Sequence, residues 1–164
     1  MGGRVLALDV GTRRIGVAVS DPTGTIAHSH AVLPRTSWAD LLRRLRRIIA
    51  DQEVERVVVG LPLRLDGREG PAAEEARAFA RRLRRELPLP VVLQDERLST
   101  AEAERAMVLQ DARRGVRRRR RDAVAAAIFL QTYLERCRRD AGAADDGEEG
   151  RRDESRDHHH TPGR

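Results

Sequence analysis

Lysine is absent from this chain: all 32 of its basic side chains are arginine. That uniformity reflects coding bias as much as chemistry, so the choice of arginine over lysine carries little functional weight. Cysteine is nearly absent too. Cys137 stands alone, which excludes an internal disulfide framework and a cysteine zinc cluster. Aromatic side chains make up 2% of the residues, too few for the stacking platform on which single-strand binders seat successive bases. No apolar run is long enough to span a bilayer, and no secretory pattern follows Met1. The chain therefore reads as a cytoplasmic protein with no membrane partner.

What is present in excess is positive charge. A formal net charge of +6 points to a polyanionic partner, nucleic acid before membrane. The 164 residues suit one domain with a tail. Residues 1–139 hold the apolar patterning. Residues 140–164 are small, charged and almost free of large apolar side chains, so they read as a disordered tail. His158 to His160 fall in that tail and read as part of a flexible end rather than a metal site.

The stretch from Val5 to Asp21 organises the rest. Val5 and Ala7 form one apolar set and Leu6, Leu8 and Val10 the other, as in a strand covered on both faces. Asp9 interrupts that strand near its end, where an ionised carboxylate is costly unless something positive compensates it. A second run, Ile15 to Val19, completes a hairpin, and Thr25 to Pro34 reads as a third strand with His28 and His30 on one face. Ser37 opens a helix whose Trp38, Leu41, Leu42, Leu45, Ile48 and Ile49 recur at helical spacing. The β-branched run before Gly60 is a buried strand, and Pro71 suits the first turn of a second helix. Val91-Val92-Leu93 begins the last strand. Ser99-Thr100-Ala101-Glu102 is a capping box for a helix reaching about Arg114, and a final helix starts near Asp122 and runs to about Arg139. Three antiparallel strands followed by alternating helices and strands imply an α/β mixed sheet with helices on both faces.

Three acidic residues stand in conspicuous places: Asp9 in the central strand, Glu96 just past the last strand, and Asp122 at the head of an apolar helix. Ligand sites of open α/β sheets gather at strand ends. Taken singly, each acid has an ordinary reading as turn former, surface acid or helix cap. If they converge, their mutual repulsion calls for a cation, and an all-oxygen set suits Mg²⁺ or Mn²⁺ rather than zinc. Two such ions could support phosphodiester hydrolysis.

Several motifs are more specific. Asp9-Val10-Gly11-Thr12-Arg13-Arg14-Ile15-Gly16-Val17-Ala18 with Ser20-Asp21 resembles the opening motif of the YqgF/RuvX family of bacterial ribonuclease H-like nucleases. Val59-Gly60-Leu61-Pro62 followed by Asp66-Gly67 resembles that family's central loop. Asp95-Glu96-Arg97-Leu98-Ser99-Thr100 and Asp122-Ala123-Val124-Ala125-Ala126 resemble its last two acidic segments. Ser99 departs from the usual threonine, and arginine replaces lysine before Asp122. The resemblance implies a ribonuclease H-like fold and metal-dependent cleavage of nucleic acid, with maturation of the 5′ end of pre-16S ribosomal RNA as the implied role. It also implies Asp9, Glu96 and Asp122 as the metal-binding catalytic acids, with Asp95 as runner-up to Glu96.

Arg97, Arg113, Arg114, Arg117, Arg118, Arg119, Arg120 and Arg121 are candidates for phosphate contacts, which would give sequence-independent, salt-sensitive affinity. The expected partner is structured RNA, with branched DNA as the alternative substrate of a junction resolvase, and a non-cutting RNA-binding assembly factor as a third reading. No heptad or other dimer stripe is visible, so the chain reads as a monomer or weak homodimer. Asp9-x-Gly11-Thr12 also matches the phosphate loop of actin-like ATPases, but those pair two such domains around a nucleotide and this chain supplies one.

Overall fold

The structure, a computed structural model, describes residues 3–98 and 121–149, with side chains for 3–97 and 123–143. Its strands are β1 (Arg4–Val10), β2 (Arg14–Ser20), β3 (Ala27–Pro34), β4 (Val54–Leu61) and β5 (Val91–Asp95). The helices among the described residues are α1 (Trp38–Asp51), α2 (Pro71–Glu86) and α3 (Arg121–Glu149). The five strands form one sheet in the order β3-β2-β1-β4-β5. β1 to β3 are an antiparallel meander, and β4 and β5 add in parallel beyond β1.

β1 lies at the centre because both of its faces are apolar. Leu6, Ala7 and Leu8 are each fully enclosed. On one face Leu6, Leu8, Val17, Val19, Val57 and Val59 pack with Leu41, Leu42 and Leu45 of α1 and with Ala76, Phe79 and Leu83 of α2. On the other, Ala7, Ala18 and Val58 pack against Ala126, Ala127 and Leu130 of α3. Helices thus cover both faces, as the alternation of elements predicts.

Local chemistry sets the joints. Ser37 is extended and its hydroxyl accepts the Asp40 amide at 3.2 Å, capping α1. Gly11 donates to the Arg14 carbonyl at 2.9 Å, and a Cβ there would stand 2.7 Å from that oxygen, so the β1–β2 turn admits no side chain. After β2, Asp21 Oδ1 accepts the amides of Thr25 at 2.7 Å and Ile26 at 2.8 Å. Burial opposes its ionisation, but these bonds and that of Thr23 win and hold the carboxyl at about 2. Asp21 is an acid used up by structure.

Two features differ from the sequence expectations. Val17 pairs with Ala31 and Ala18 with Ser29, which leaves His30 as an extra residue in the edge strand β3. A bulge of this kind breaks strict alternation. Parity therefore does not decide the faces of His28 and His30, and His30 is exposed. Secondly, α3 continues to Glu149 instead of ending near Arg139, so residues 140–149 are helical rather than coil. Lack of apolar surface argues against packing, not against a helix. Ala141, Ala143 and Ala144 are the strongest helix formers, and the single Gly142 costs only about 1 kcal/mol against them. By internal packing the chain divides into two units, Met1–Leu134 and Glu135–Arg164. Among the described residues no helix is long and apolar enough to cross a membrane. The expected helix opening at Ser99 and His158 to His160 lie outside the described residues.

Candidate metal centre

Three parallel strands end side by side, and strand alternation decides what they present. Ala7 lies on the α3 face and Leu8 on the opposite one, so Asp9 returns to the α3 face. The same count from Val58 places Gly60 there, and from Val92 it places Gln94 there. Gly60 pairs with Gln94, and the pairing of Leu8 with Val59, continued by one residue, sets Asp9 beside Gly60. Asp9, Gly60 and Gln94 form one row across the carboxyl ends of β1, β4 and β5.

Glu96 joins this row from outside it. β5 stops at Asp95 and a single 3₁₀ turn, Glu96–Leu98, follows. That turn brings the Glu96 side chain back over Gly60. A Cβ at residue 60 would stand 2.9 Å from the Glu96 Cδ and 3.0 Å from its Cγ, so only glycine leaves the space this side chain fills. Here Glu96 meets Asp9. Burial first, then the negative charge of Asp9, a hydrogen bond with it, and the charge of Asp95 push the Glu96 carboxyl up to about 8. Its Oε1 is fully enclosed and makes no hydrogen bond.

Asp122 is the second residue of α3, and its side chain lies outside those described. Its place along the sheet follows from the far end of the helix. Tyr133 accepts a hydrogen bond from Arg56 at 2.8 Å, near the start of β4, and Gln131 binds the Ala27 amide at 2.9 Å. From Tyr133 back to Asp122 the helix rises about 16 Å. From Arg56 forward to Gly60 the strand rises about 13 Å. A helix laid antiparallel to β4 from Tyr133 would bring the start of α3 to the end of the sheet that carries Asp9 and Gly60. Among the described residues no three His, Cys, Asp or Glu side chains group as a metal site; Asp9 and Glu96 are a pair.

Asp95 faces away from this pair. Alternation sends it to the α1–α2 side, where the Arg97 guanidinium donates to its Oδ2 at 2.8 Å and the Arg97 amide to its Oδ1 at 2.9 Å. Arg97 also donates to the carbonyls of Arg64 at 3.3 Å and Leu65 at 3.5 Å. The side chain expected to contact phosphate is thus engaged in tying the loop after β4 to the turn that carries Glu96. Arg113, Arg114 and Arg117 to Arg120 lie outside the described residues, and so does the side chain of Arg121. Gly60 and Gln94 were not singled out by the sequence as members of the site. Their signals were a glycine at a strand end and a lone amide in an apolar strand.

The donor set suits a hard cation. Two carboxyls forced together in a half-buried place compete for one proton, and an enclosed oxygen lacks any partner. A divalent ion coordinated by oxygen would satisfy both deficits, and among the described residues no histidine or cysteine groups with the pair to favour zinc.

Residues 3–136 match the RuvX family, described as Holliday junction resolvase. A protein of Koribacter versatilis is 45% identical over 136 residues, covering 82% of this chain and 88% of its own length. One from Geobacillus kaustophilus is 47% identical over 134 residues, covering 80% and 97%. Both bear the name "Putative pre-16S rRNA nuclease". Among solved structures, T. thermophilus RuvC in complex with Holliday junction substrate superposes with a TM-score of 0.55 at 16% identity, covering 82% of this chain and 96% of that one. The yeast mitochondrial Holliday junction resolvase Ydc2 gives 0.56 at 11%, covering 90% and 84%. The mixed sheet is thus the ribonuclease H-like fold of these resolvases, and the match over nearly all of residues 3–136 makes this chain a member of the RuvX family.

Proposed function

We propose that residues 1–139 form a divalent-metal-dependent nuclease that hydrolyses phosphodiester bonds in structured RNA, in maturation of the 5′ end of pre-16S ribosomal RNA. The observation that carries the reading is the half-buried Asp9–Glu96 pair, with Glu96 Oε1 enclosed and unpartnered. Two carboxyls brought together out of bulk water favour a ligand that compensates them. The names borne by the relatives at 45% and 47% identity supply the substrate class.

Asp9 and Glu96 would hold Mg²⁺ or Mn²⁺, and Asp122, entering from the start of α3, would complete the set. When bound, such a cation supplies Lewis acidity toward the phosphate and lowers the pKa of water. The chain's own residues do the rest. Gly60 leaves the space into which Glu96 folds. The Arg97–Asp95 pair fixes the turn from which Glu96 projects. Arg113, Arg114 and Arg117 to Arg120 would take phosphates away from the cleavage point, where acids alone would repel the substrate.

The test incubates the purified protein with labelled pre-16S RNA and, separately, with a four-way DNA junction, each in Mg²⁺, Mn²⁺ or EDTA. Cleavage of the RNA in either metal and not in EDTA is expected. Cleavage in EDTA removes the metal mechanism, and cleavage of the junction alone makes branched DNA the substrate. Salt-sensitive binding of RNA without any cleavage makes the protein an assembly factor.

A further inference from the structure

Gln94 is the polar side chain in this row that the proposed chemistry leaves unused. It is only 9% exposed, and its Nε2 is enclosed without a hydrogen-bond partner. An enclosed donor left without an acceptor is costly, because it has given up water for nothing. Its place is specific. Gln94 is the register partner of Gly60, on the α3 face, and the Glu96 side chain lies over the bare Cα of Gly60. Adjacent strands stand about 4.8 Å apart. An enclosed donor without an acceptor and an enclosed acceptor, Glu96 Oε1, without a donor therefore sit on neighbouring positions of one row.

We propose that Gln94 is a positioning residue of the metal centre, whose Nε2 donates to Oε1 of Glu96 and holds that carboxylate in the orientation of a cation ligand. The inference rests on the reading of Asp9 and Glu96 as cation ligands. A carboxylate that gives one oxygen to a cation keeps lone pairs on the other, and those are oriented by a hydrogen bond from an outer group. Asp9 cannot provide that bond while it too acts as an ionised ligand, because an ionised carboxylate has no proton to donate. Among the described residues on this row, Gln94 holds the spare donor.

Gln94→Met keeps the length and volume of the side chain and removes its donor. Mn²⁺ binding to the full chain, read by calorimetry and by the Mn²⁺ spin-resonance spectrum, separates the cases. The expected result is a 10- to 100-fold weaker Mn²⁺ affinity for Q94M, with a metal-free melting temperature equal to or above that of the wild type. Equal affinity in both proteins overturns the assignment of Gln94 while leaving Asp9 and Glu96 as ligands. Absence of Mn²⁺ binding to the wild type overturns the ligand reading and this inference with it. A Q94M protein that melts below the wild type without metal, yet binds Mn²⁺ normally, makes Gln94 a packing residue. Should Q94M fail to fold, nitrogen-15 NMR of the wild type decides: saturating Mg²⁺ moves a proton of the Gln94 side-chain amide downfield, and an unmoved resonance refutes the bond.

Discussion

The sharpest consequence of the geometry concerns Glu96 in the absence of metal. Its carboxyl stands at about 8 in the folded chain against an ordinary 4.5. Across that interval the folded protein keeps a proton that the unfolded chain has released. Stability therefore falls as pH rises from 4.5 to about 8 and levels off above it, where both states are ionised. At about 1.4 kcal/mol per tenfold change in proton affinity, the full displacement amounts to about 5 kcal/mol. Glu96 is half-buried rather than sealed, so solvent screening reduces the effective figure to about 2 kcal/mol. Glu96→Gln copies the protonated acid and cannot ionise. In EDTA it should match the wild type near pH 4.5 and exceed it near pH 8.5. At about 3 °C per kcal/mol for a domain of this size, the excess is about 6 °C in melting temperature. Saturating Mn²⁺ should raise the wild type at high pH, where the cation replaces the proton, and leave E96Q unmoved. Circular dichroism melts of both proteins, with and without metal, give the comparison directly, and the difference between them cancels the other titrating groups. An E96Q that melts with or below the wild type at pH 8.5 in EDTA would show that Glu96 is not an enclosed acid beside a second carboxylate.

The other perturbations separate site from scaffold. Asp9→Asn should lower RNA cleavage by more than about 100-fold, beyond what loss of an outer-shell group costs, while filter binding shows RNA affinity unchanged or tighter because a repelling charge is gone. Gly60→Ala sets a methyl against the far end of the Glu96 side chain, which can swing aside, so the melting temperature should fall by the equivalent of less than about 1 kcal/mol while Mn²⁺ affinity drops at least about tenfold. Retained Mn²⁺ affinity in that variant would mean that Glu96 need not lie over residue 60. Arg97→Met removes the side-chain tie to Asp95 and to the carbonyls of Arg64 and Leu65; the melting temperature should hardly move, since the pair is partly exposed, yet amide exchange across residues 63–69 should quicken. Unchanged exchange there would leave Arg97 without the tethering role and return it to the pool of phosphate contacts.

The elements themselves were legible because they follow from local rules. The doubly apolar run at Leu6-Ala7-Leu8 could belong only to a central strand, and Ser37 and Pro71 mark helix starts by what their side chains do to free amides. Where local rules failed, a longer-range cause is visible. The strict alternation behind the placing of His28 and His30 was broken by one extra residue in β3, which no periodicity reveals because the bulge is defined by its partner β2. The helical extension to Glu149 escaped because composition reports whether a segment can pack, whereas helix formation needs only backbone propensity.

For the site, the amino-acid order alone determined which acids are conspicuous and, through the likeness of four spaced motifs, which chemistry they suit. It could not determine that Asp9 and Glu96 touch. Eighty-seven positions separate them, and contact depends on three strands running parallel, on one 3₁₀ turn, and on a glycine between them with no side chain to hold them apart. The resemblance already put Glu96 ahead of Asp95; what the fold adds is the physical reason. Adjacent residues at a strand end point to opposite faces, so a step of one residue sends one carboxylate to an arginine and the other to Asp9. Chemical identity is written in the chain; proximity, and with it the energy that makes an acid hold its proton or seek a cation, is made only when the chain closes on itself.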